Sequence, residues 1–487
     1  MTQVSDLIKV FFTGLGRSRM ALVGAIMATV LFPALLISLV IDHQGLIAQP
    51  LFGFIVYLVL GPLFVLALLM VLLGLFFFQG KDEISRFTYQ YLKEHFTAPE
   101  KFLWVRNLVV AATIITVINL LFIGVITYSG HRYTESIAFC GALCHTAMEP
   151  QHTSHQLSTH SQVLCVECHI GPGLGRLVKG KIFAAREVAV TLLNNYPRPI
   201  ASPLEHLRPT SDNCRTCHRS ELLYGEKLRI ITSYRPDAQN TPLFTVLLMK
   251  TGHHGRRETE ARNIHWHVDP ERTVKYLHQD RERRKISEVR VKQEDGSELI
   301  FRRHHDQTTS AASENSPATV RTMECADCHN RASHSHLSAA EAIDRKILSG
   351  AIPEELPFSK RQTLAAISLP YASVTEAEIA IATRLESWYR ENQPELTDRE
   401  PDLLKRAVKG AQQAWRENVF PEMGVEWETY RNFLGHRNDS GCFRCHNPGM
   451  RTQEGYSPPT RCDLCHLILA VAEETPDIPE ILKHGRH

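Results

Sequence analysis

Residues 139–173 read FCGALCHTAMEPQHTSHQLSTHSQVLCVECHIGPG, and each of the two cysteine pairs in this stretch ends on a histidine. The second, Cys165-Val-Glu-Cys168-His169, has the form C-x-x-C-H. That pattern is the attachment signature of c-type haem: two thiols add to the porphyrin vinyl groups, and the adjacent histidine falls beneath the iron. The first, Cys140-Gly-Ala-Leu-Cys144-His145, carries one extra residue. Four more C-x-x-C-H motifs follow, at Cys214/Cys217/His218, Cys325/Cys328/His329, Cys442/Cys445/His446 and Cys462/Cys465/His466, and the pairs together use all 12 cysteines of the chain. A zinc site would combine its Cys-x-x-Cys motifs and has no need of a histidine after every one. A disulfide framework needs none either. The chain therefore reads as a multihaem cytochrome c with six covalently bound haem c groups. At Cys140/Cys144 the extra residue changes the thioether spacing, and a disulfide or an unmodified thiol pair is the competing reading.

Haem is attached outside the cytoplasmic membrane, so the chain needs a route across it. Residues 21–41, 51–78 and 108–128 are each apolar and long enough to span a bilayer. The first is too long for a removable signal peptide and lacks a small-residue cleavage site, so it is expected to stay as an anchor. Lys9, Arg17 and Arg19 precede it. Lys81, Arg86, Lys93, Lys101 and Arg106 lie between the second and third spans, whereas residues 42–50 hold no Lys or Arg. The positive-inside bias then puts the N-terminus in the cytoplasm and everything after Tyr128 in the periplasm of a bacterial inner (cytoplasmic) membrane. The formal net charge of +2 argues against a nucleic-acid partner.

The expected fold is a membrane-anchored multihaem c-type cytochrome: three N-terminal transmembrane helices over 1–130, then a haem-packed, mostly α or irregular periplasmic domain. Haem faces are expected to do much of the work of its hydrophobic core. Within this domain, residues 131–220 hold the first three motifs, 221–324 form an insert with a small β-hairpin, and 325–487 form a helical region with the last three. The hairpin is read from residues 285–292 and 298–303, which flank the turn residues Asp295-Gly296. Residues 308–319 are polar and read as a linker. Residues 338–434 read as mostly helical: Thr375-Glu-Ala-Glu opens one run like a capping box, and residues 404–415 keep helical spacing.

His145, His169, His218, His329, His446 and His466 are the expected proximal ligands. Electron-transfer haems are commonly six-coordinate, and a second histidine or a methionine closes the site. The chain has 25 histidines, many near the motifs. Of these candidates, which include His155 and His267, the favoured second ligands are His160, His206, His265, His334 and His436. Spacing does not pair them with particular haems.

The order of span, first motif, histidine and second motif over residues 105–220 resembles the start of the NapC/NirT family of membrane-anchored, quinol-oxidising cytochromes. Two extra N-terminal spans, a long middle insert and a C-terminal motif pair (GHRNDSGCFRCHNPGM at 435–450, then Cys462-Asp-Leu-Cys465-His466) are absent from short family members. They are similar to the larger inner-membrane multihaem cytochromes (ImcH type) of metal-reducing bacteria. The resemblance implies a quinol site, with menaquinol as the substrate, at the membrane face beside the first haem. It also implies electron delivery to periplasmic cytochromes or other carriers. The family's first motif is C-x-x-C-H-x-Met. Here it is C-x-x-x-C-H-x-x-Met148, which leaves either His145 or Met148 as the ligand. The family's Lys-x-x-Ala-x-x-Glu/Asp run matches Lys181-Ile-Phe-Ala-Ala-Arg-Glu187, which implies that Lys181 and Glu187 hold the quinol head group and take its protons. An amphipathic helix lying on the lipid surface is an equal reading of the same residues. Where the larger relatives tend to carry a histidine after C-F-R-C-H, this chain has Met450, which implies one His/Met haem of raised potential.

The leading expectation is a quinol-dehydrogenase-type conduit from the membrane quinol pool to periplasmic partners in anaerobic respiration. The alternatives are a terminal reductase of a small oxyanion such as nitrite at one open haem, and reverse flow from a periplasmic donor to quinone. Intact mass of the denatured protein should exceed that of the apoprotein by six haem units. An excess of five would show that Cys140/Cys144 carries none.

Overall fold

A computed structural model of the chain describes residues 18–47, 49–77, 99–204, 209–218, 225–252, 263–269, 272–293, 295–304, 319–437 and 439–477. Lys9, Arg17, Lys81, Arg86 and Lys93, which orient the spans, lie outside these residues, as do His206 and nearly all of the polar 308–319 stretch. The chain divides into two units, Met1–Leu143 and Cys144–His487.

The first unit is built from helices α1 (Arg19–His43), α2 (Pro50–Phe54), α3 (Gly61–Phe77) and α4 (Pro99–Glu135), with a π-helical turn over Ile55–Leu60 joining α2 to α3. Ser18 caps α1, its hydroxyl accepting from the Ala21 amide at 3.3 Å. Arg19–His43, Pro50–Gly74 and Val110–Glu135 are each long and apolar enough to cross a membrane. Ile26, Val30, Leu120 and Leu121 point outward from them, the arrangement expected where lipid, not protein, covers the helix. Helices α1 and α3 meet through small residues. A Cβ on Gly24 would lie 2.7 Å from the Ala67 carbonyl oxygen, and one on Gly74 would lie 2.5 Å from the Ala21 nitrogen. Inside, the rings of Phe32 and Phe64 stand 4.6 and 5.5 Å from that of Phe122. Two tyrosines tie down the connection between α1 and α2: Tyr57 donates to Asp42 Oδ2 and Tyr133 to the Pro50 carbonyl, both at 2.5 Å.

The second unit opens with four helices, α5 (His145–Gln156), α6 (Cys165–His169), α7 (Leu174–Leu192) and α8 (Thr210–Cys214). Strands β1 (Glu226–Tyr234), β2 (Pro242–Lys250), β3 (Val274–His278), β4 (Ile286–Lys292), β5 (Glu298–Arg303) and β6 (Thr319–Thr322) follow, and β7 (Met450–Arg451) and β8 (His466–Glu473) come near the end of the chain. They form an antiparallel three-stranded sheet, β1-β2-β8, and a five-stranded sheet, β6-β3-β4-β5-β7. The expected hairpin is β4–β5, with Lys292 opposite Glu298 and Gly296 in the turn at φ +85°, a conformation that favours glycine. The β content nonetheless exceeds the expected small insert. Strands β1 and β2 lack the alternating pattern that exposed β4–β5, and β7 and β8 sit so close to cysteine motifs that those segments read as irregular.

Between β6 and β7 in the chain come α9 (Cys325–Cys328), α10 (Ala339–Leu348), α11 (Ser359–Ile367), α12 (Val374–Asn392), α13 (Pro394–Arg399) and α14 (Pro401–Arg416). Ser338 and Glu341 form a capping box on α10. Helix α12 starts earlier than the Thr375 expectation: Ser373 accepts from the Glu376 amide at 3.2 Å, while the Glu376 carboxylate accepts from the Ala372 amide at 2.8 Å. Ile343, Ile367, Ile381, Leu385, Tyr389 and Trp415 fill the core of this block. The buried Asp344 pairs with Lys360 and also accepts from the Tyr234 amide at 3.1 Å, which ties the block to β1. Trp415 is 1% exposed, and no cysteine of the motifs belongs to its cluster. Trp415→Ala should therefore cost about 3–5 kcal/mol, read as a lower thermal unfolding midpoint with the haem-to-protein ratio unchanged.

Candidate haem sites

The motif cysteines are less enclosed than a core made of haem faces would lead one to expect. Cys168, Cys217, Cys442 and Cys462 are exposed, and the other eight are half-buried. Cys217 shows the reason. Helix α8 ends at Cys214, and a turn then carries Arg215, Thr216 and Cys217 out to the surface. The turn still folds back on the helix end, since the Cys217 and His218 amides donate to the Cys214 carbonyl at 3.2 and 2.7 Å. That bonding keeps Cys214, Cys217 and His218 at the spacing the motif requires while leaving the Cys217 thiol open to solvent. No disulfide joins any of the twelve cysteines, Cys140 and Cys144 included.

In five motifs a second imidazole stands opposite the motif histidine. The ring centroids are 6.3 Å apart for His169 and His334, 6.0 Å for His218 and His160, and 6.3 Å for His329 and His265. They are 5.6 Å apart for His446 and His267, and 6.1 Å for His466 and His436. Two imidazoles bound to one metal through bonds of about 2 Å place their centroids about 6 Å apart, so these pairs have the spacing a haem iron requires. Four of the five favoured second ligands, His160, His265, His334 and His436, stand in these pairs. His206 lies outside the described residues, and the fifth partner is His267. The sequence offered for His267 only its place two residues from His265; the structure sets both on one 3-10 turn, Ile264–Val268.

The second ring nitrogen of several of these side chains is already engaged. Nδ1 lies 2.7 Å from the Thr251 carbonyl oxygen in His265, 3.1 Å from that of Ile264 in His267, and 3.0 Å from that of Gln151 in His334. In His446 it lies 2.7 Å from the Pro459 carbonyl oxygen. An Nδ1–H donated to a backbone carbonyl fixes the tautomer and leaves Nε2 bare for a metal. Burial reinforces that state. It holds the His169, His267, His329 and His466 imidazoles below their ordinary pKa, and it pushes His334 down to about 4, with His169 beside it adding to the effect. Neutral imidazole is the form that binds metal. His155, also near His334, instead turns its Nε2 toward the Val163 carbonyl at 3.1 Å, which leaves His334 as the partner of His169.

The first pair differs. Cys140 lies on a π-helical turn, Ala138–Leu143, whose wider i→i+5 winding takes up the extra residue before Cys144. Met148 follows one turn later on α5, its amide donating to the Cys144 carbonyl at 2.9 Å. The side chain of His145 lies outside the described residues.

Successive motifs touch. Asn213 donates to the Cys168 carbonyl at 2.8 Å, joining the second motif to the third. The Cys214 and Cys325 thiols share a hydrogen bond, joining the third to the fourth. Arg444, in the fifth, donates to the Asp327 carbonyl of the fourth at 2.5 Å. The fifth and sixth are neighbours through Cys442, which lies close enough to Cys465 to add to the upward push that burial gives its thiol. Asp327 is itself buried, accepting from Tyr276 at 2.6 Å, Arg283 at 2.9 Å and the Glu324 amide at 2.8 Å.

Lys181 and Glu187 lie on α7, which a glycine seats tightly: a Cβ on Gly180 would lie 2.8 Å from Ile170 Cδ1, just past the second motif. Glu187 is exposed, yet its carboxylate adds to the upward push that burial gives the Cys144 thiol, against the lowering by a Thr191 hydrogen bond. The structure thus brings Glu187 to the first motif. Lys181 is half-buried about two turns earlier, six residues or about 9 Å along the axis, and does not face Glu187. Val178, Ile182, Phe183, Leu192 and Leu193 leave a broad apolar surface exposed on and just beyond the same helix.

No family model matches the chain, and no solved structure matches it. Two curated proteins are similar to it. Over 90 residues it is 32% identical to the cytochrome c nitrite reductase subunit NrfH of Nitratidesulfovibrio vulgaris, covering 18% of this chain and 55% of that one. Over 462 residues it is 35% identical to the cytochrome c-type protein ImcH of Geobacter sulfurreducens, covering 94% of this chain and 89% of that one. Identity of that order, sustained over nearly the whole of both chains and joined to the cysteine motifs and three membrane-length helices, makes this chain a member of the ImcH family of membrane-associated multihaem c-type cytochromes.

Proposed function

We propose that this protein oxidises quinol at the outer face of an inner membrane and delivers the electrons to periplasmic carriers, in the service of anaerobic respiration. The observation that carries the proposal is the unbroken run of contacts from the second cysteine motif to the sixth. A molecule that only stored or sensed electrons would have no need to chain its sites end to end. Bound haem supplies one-electron redox steps, so the two electrons of a quinol leave singly. The protein's part is to hold each iron between two fixed imidazoles: His169 with His334, His218 with His160, His329 with His265, and His466 with His436. Fixed axial ligands keep the coordination the same in both charge states. His145 or Met148 serves the first iron, and six haems are expected in all.

In this reading residues 1–130 anchor the chain with its N-terminus in the cytoplasm, and residues 131–220 receive the electrons. Residues 221–324 form the insert, and residues 325–487 carry the exit end. Glu187 accepts a proton as menaquinol becomes quinone, while Lys181 contributes charge further along α7 at the head-group level. The apolar side chains of α7 suit a helix lying at the lipid surface, so membrane seating and quinol entry belong to one element. The exposed edge of the third motif at Cys217 leaves that haem open to a soluble carrier as well as to its neighbours. The second imidazole opposite five of the proximal histidines weighs against an open haem at those sites, and so against a terminal oxyanion reductase there.

Two measurements test this. Electron paramagnetic resonance of the oxidised protein should show low-spin ferric iron at the second to sixth sites, and a large high-spin signal that shifts on adding nitrite would favour the reductase instead. Glu187→Gln should lower quinol-driven haem reduction at least about tenfold, a conservative threshold against the roughly hundredfold or more that loss of a general base usually costs. Reduction by dithionite should be unaffected. Equal quinol turnover in the variant would return α7 to a purely membrane-seating role.

A further inference from the structure

We propose that the single turn His265-Trp266-His267 supplies the sixth ligand to two neighbouring haems, His265 to the fourth and His267 to the fifth. The fifth haem is then bis-histidine, although the sequence places Met450 where a thioether ligand could be sought. The inference rests on the reading that the fourth and fifth motifs carry haem, and deepens it.

Nε2 of His267 lies 3.4 Å from Nε2 of His446, with the two rings at 85° to each other. Both nitrogens are bare, because the Nδ1 atoms face the Ile264 and Pro459 carbonyls at 3.1 and 2.7 Å. An iron held by bonds of about 2 Å on each side needs the two nitrogens about 4 Å apart, an opening of a few tenths of an ångström. Two residues earlier, the His265 ring lies parallel to that of His329 within 15°. On a 3-10 turn, residues two apart project to different sides, so one short segment can reach two irons while neither ring reaches the other's partner.

The turn is held independently of any haem. Arg272 stacks over the Trp266 ring at 5.1 Å, and Trp266 packs on the apolar cluster of Val274, Tyr276 and Ile286. Arg215 of the third motif donates to the Val268 carbonyl at 3.3 Å. The Trp266 indole N–H is buried with no partner among the described residues, a donor suited to a haem propionate. Met450 has another occupation: it is 0% exposed, within that same apolar cluster on β7.

The test uses full-length protein in detergent. His267→Ala should retain six haem units by mass while one ferric haem changes from low spin to high spin. The double variant His265→Ala/His267→Ala should double that high-spin signal. His267→Met should introduce the long-wavelength ferric band of thioether ligation and raise one midpoint potential, and Met450→Leu should change neither. The proposal is overturned if the wild type shows the thioether band and Met450→Leu abolishes it, or if His267→Ala leaves every iron low-spin. Should His267→Ala fail to accumulate, His267→Met decides, since an unchanged spectrum there also overturns it. Peptide mapping of the wild type that finds the fourth or fifth motif without haem would count against the motif reading itself, and so separates the two failures.

Discussion

Arg444 reaching the carbonyl of Asp327 is the contact on which the second unit's arrangement depends. Both residues are the variable positions of cysteine motifs, so a bond between them fixes one motif loop against the next. A buried guanidinium is tolerable only when its donors are met. Here Nε serves the Gly441 carbonyl and Nη1 that of Arg283, each at 2.9 Å, and the group stacks on Phe433 at 4.0 Å. Arg283 in turn pairs with the Asp327 carboxylate at 2.9 Å, so backbone, charge and ring converge on one point between the fourth and fifth motifs.

The two kinds of core in this unit follow from that. Residues 338–419 own a conventional apolar interior, with Trp415, Tyr389 and Ile381 at its centre, and fold around it by helix pairing. The five-stranded sheet has a smaller cluster, built on Val274, Tyr276, Val289 and Met450. The motif segments contribute short turns, and among the described residues the buried Nδ1 of His466 has no protein partner. Segments of that sort gain little from burying apolar surface and are completed by a ligand.

The sequence made the cysteine motifs, the spans and the β4–β5 hairpin legible because each has a short-range rule: fixed spacing, unbroken apolarity, or alternation around a glycine turn. It also made the helical block legible, apart from a cap displaced from Thr375 to Ser373. The depth of each motif was not legible: the same C-x-x-C-H spacing leaves Cys217 at the surface and Cys214 half-buried, because exposure depends on what packs against the turn. Ligand pairing was not legible either. His334 meets His169 from 165 positions away, through a fold that no local pattern encodes, and His267 gave no cue beyond its neighbour His265. Strands β7 and β8 were hidden for the same reason, since β8 gains its meaning from β2, far earlier in the chain.

That last pairing bears on how the protein is made. Strand β8 begins at His466, the histidine of the sixth motif, and its partner β2 ends at Lys250. Closing the sheet joins the two ends of a loop that contains the fourth and fifth motifs, an entropically slow event compared with forming the local helices. Thiols of those motifs are most accessible while the loop is open. Closure of the three-stranded sheet is thus the step that takes those thiols from an open chain into the folded one.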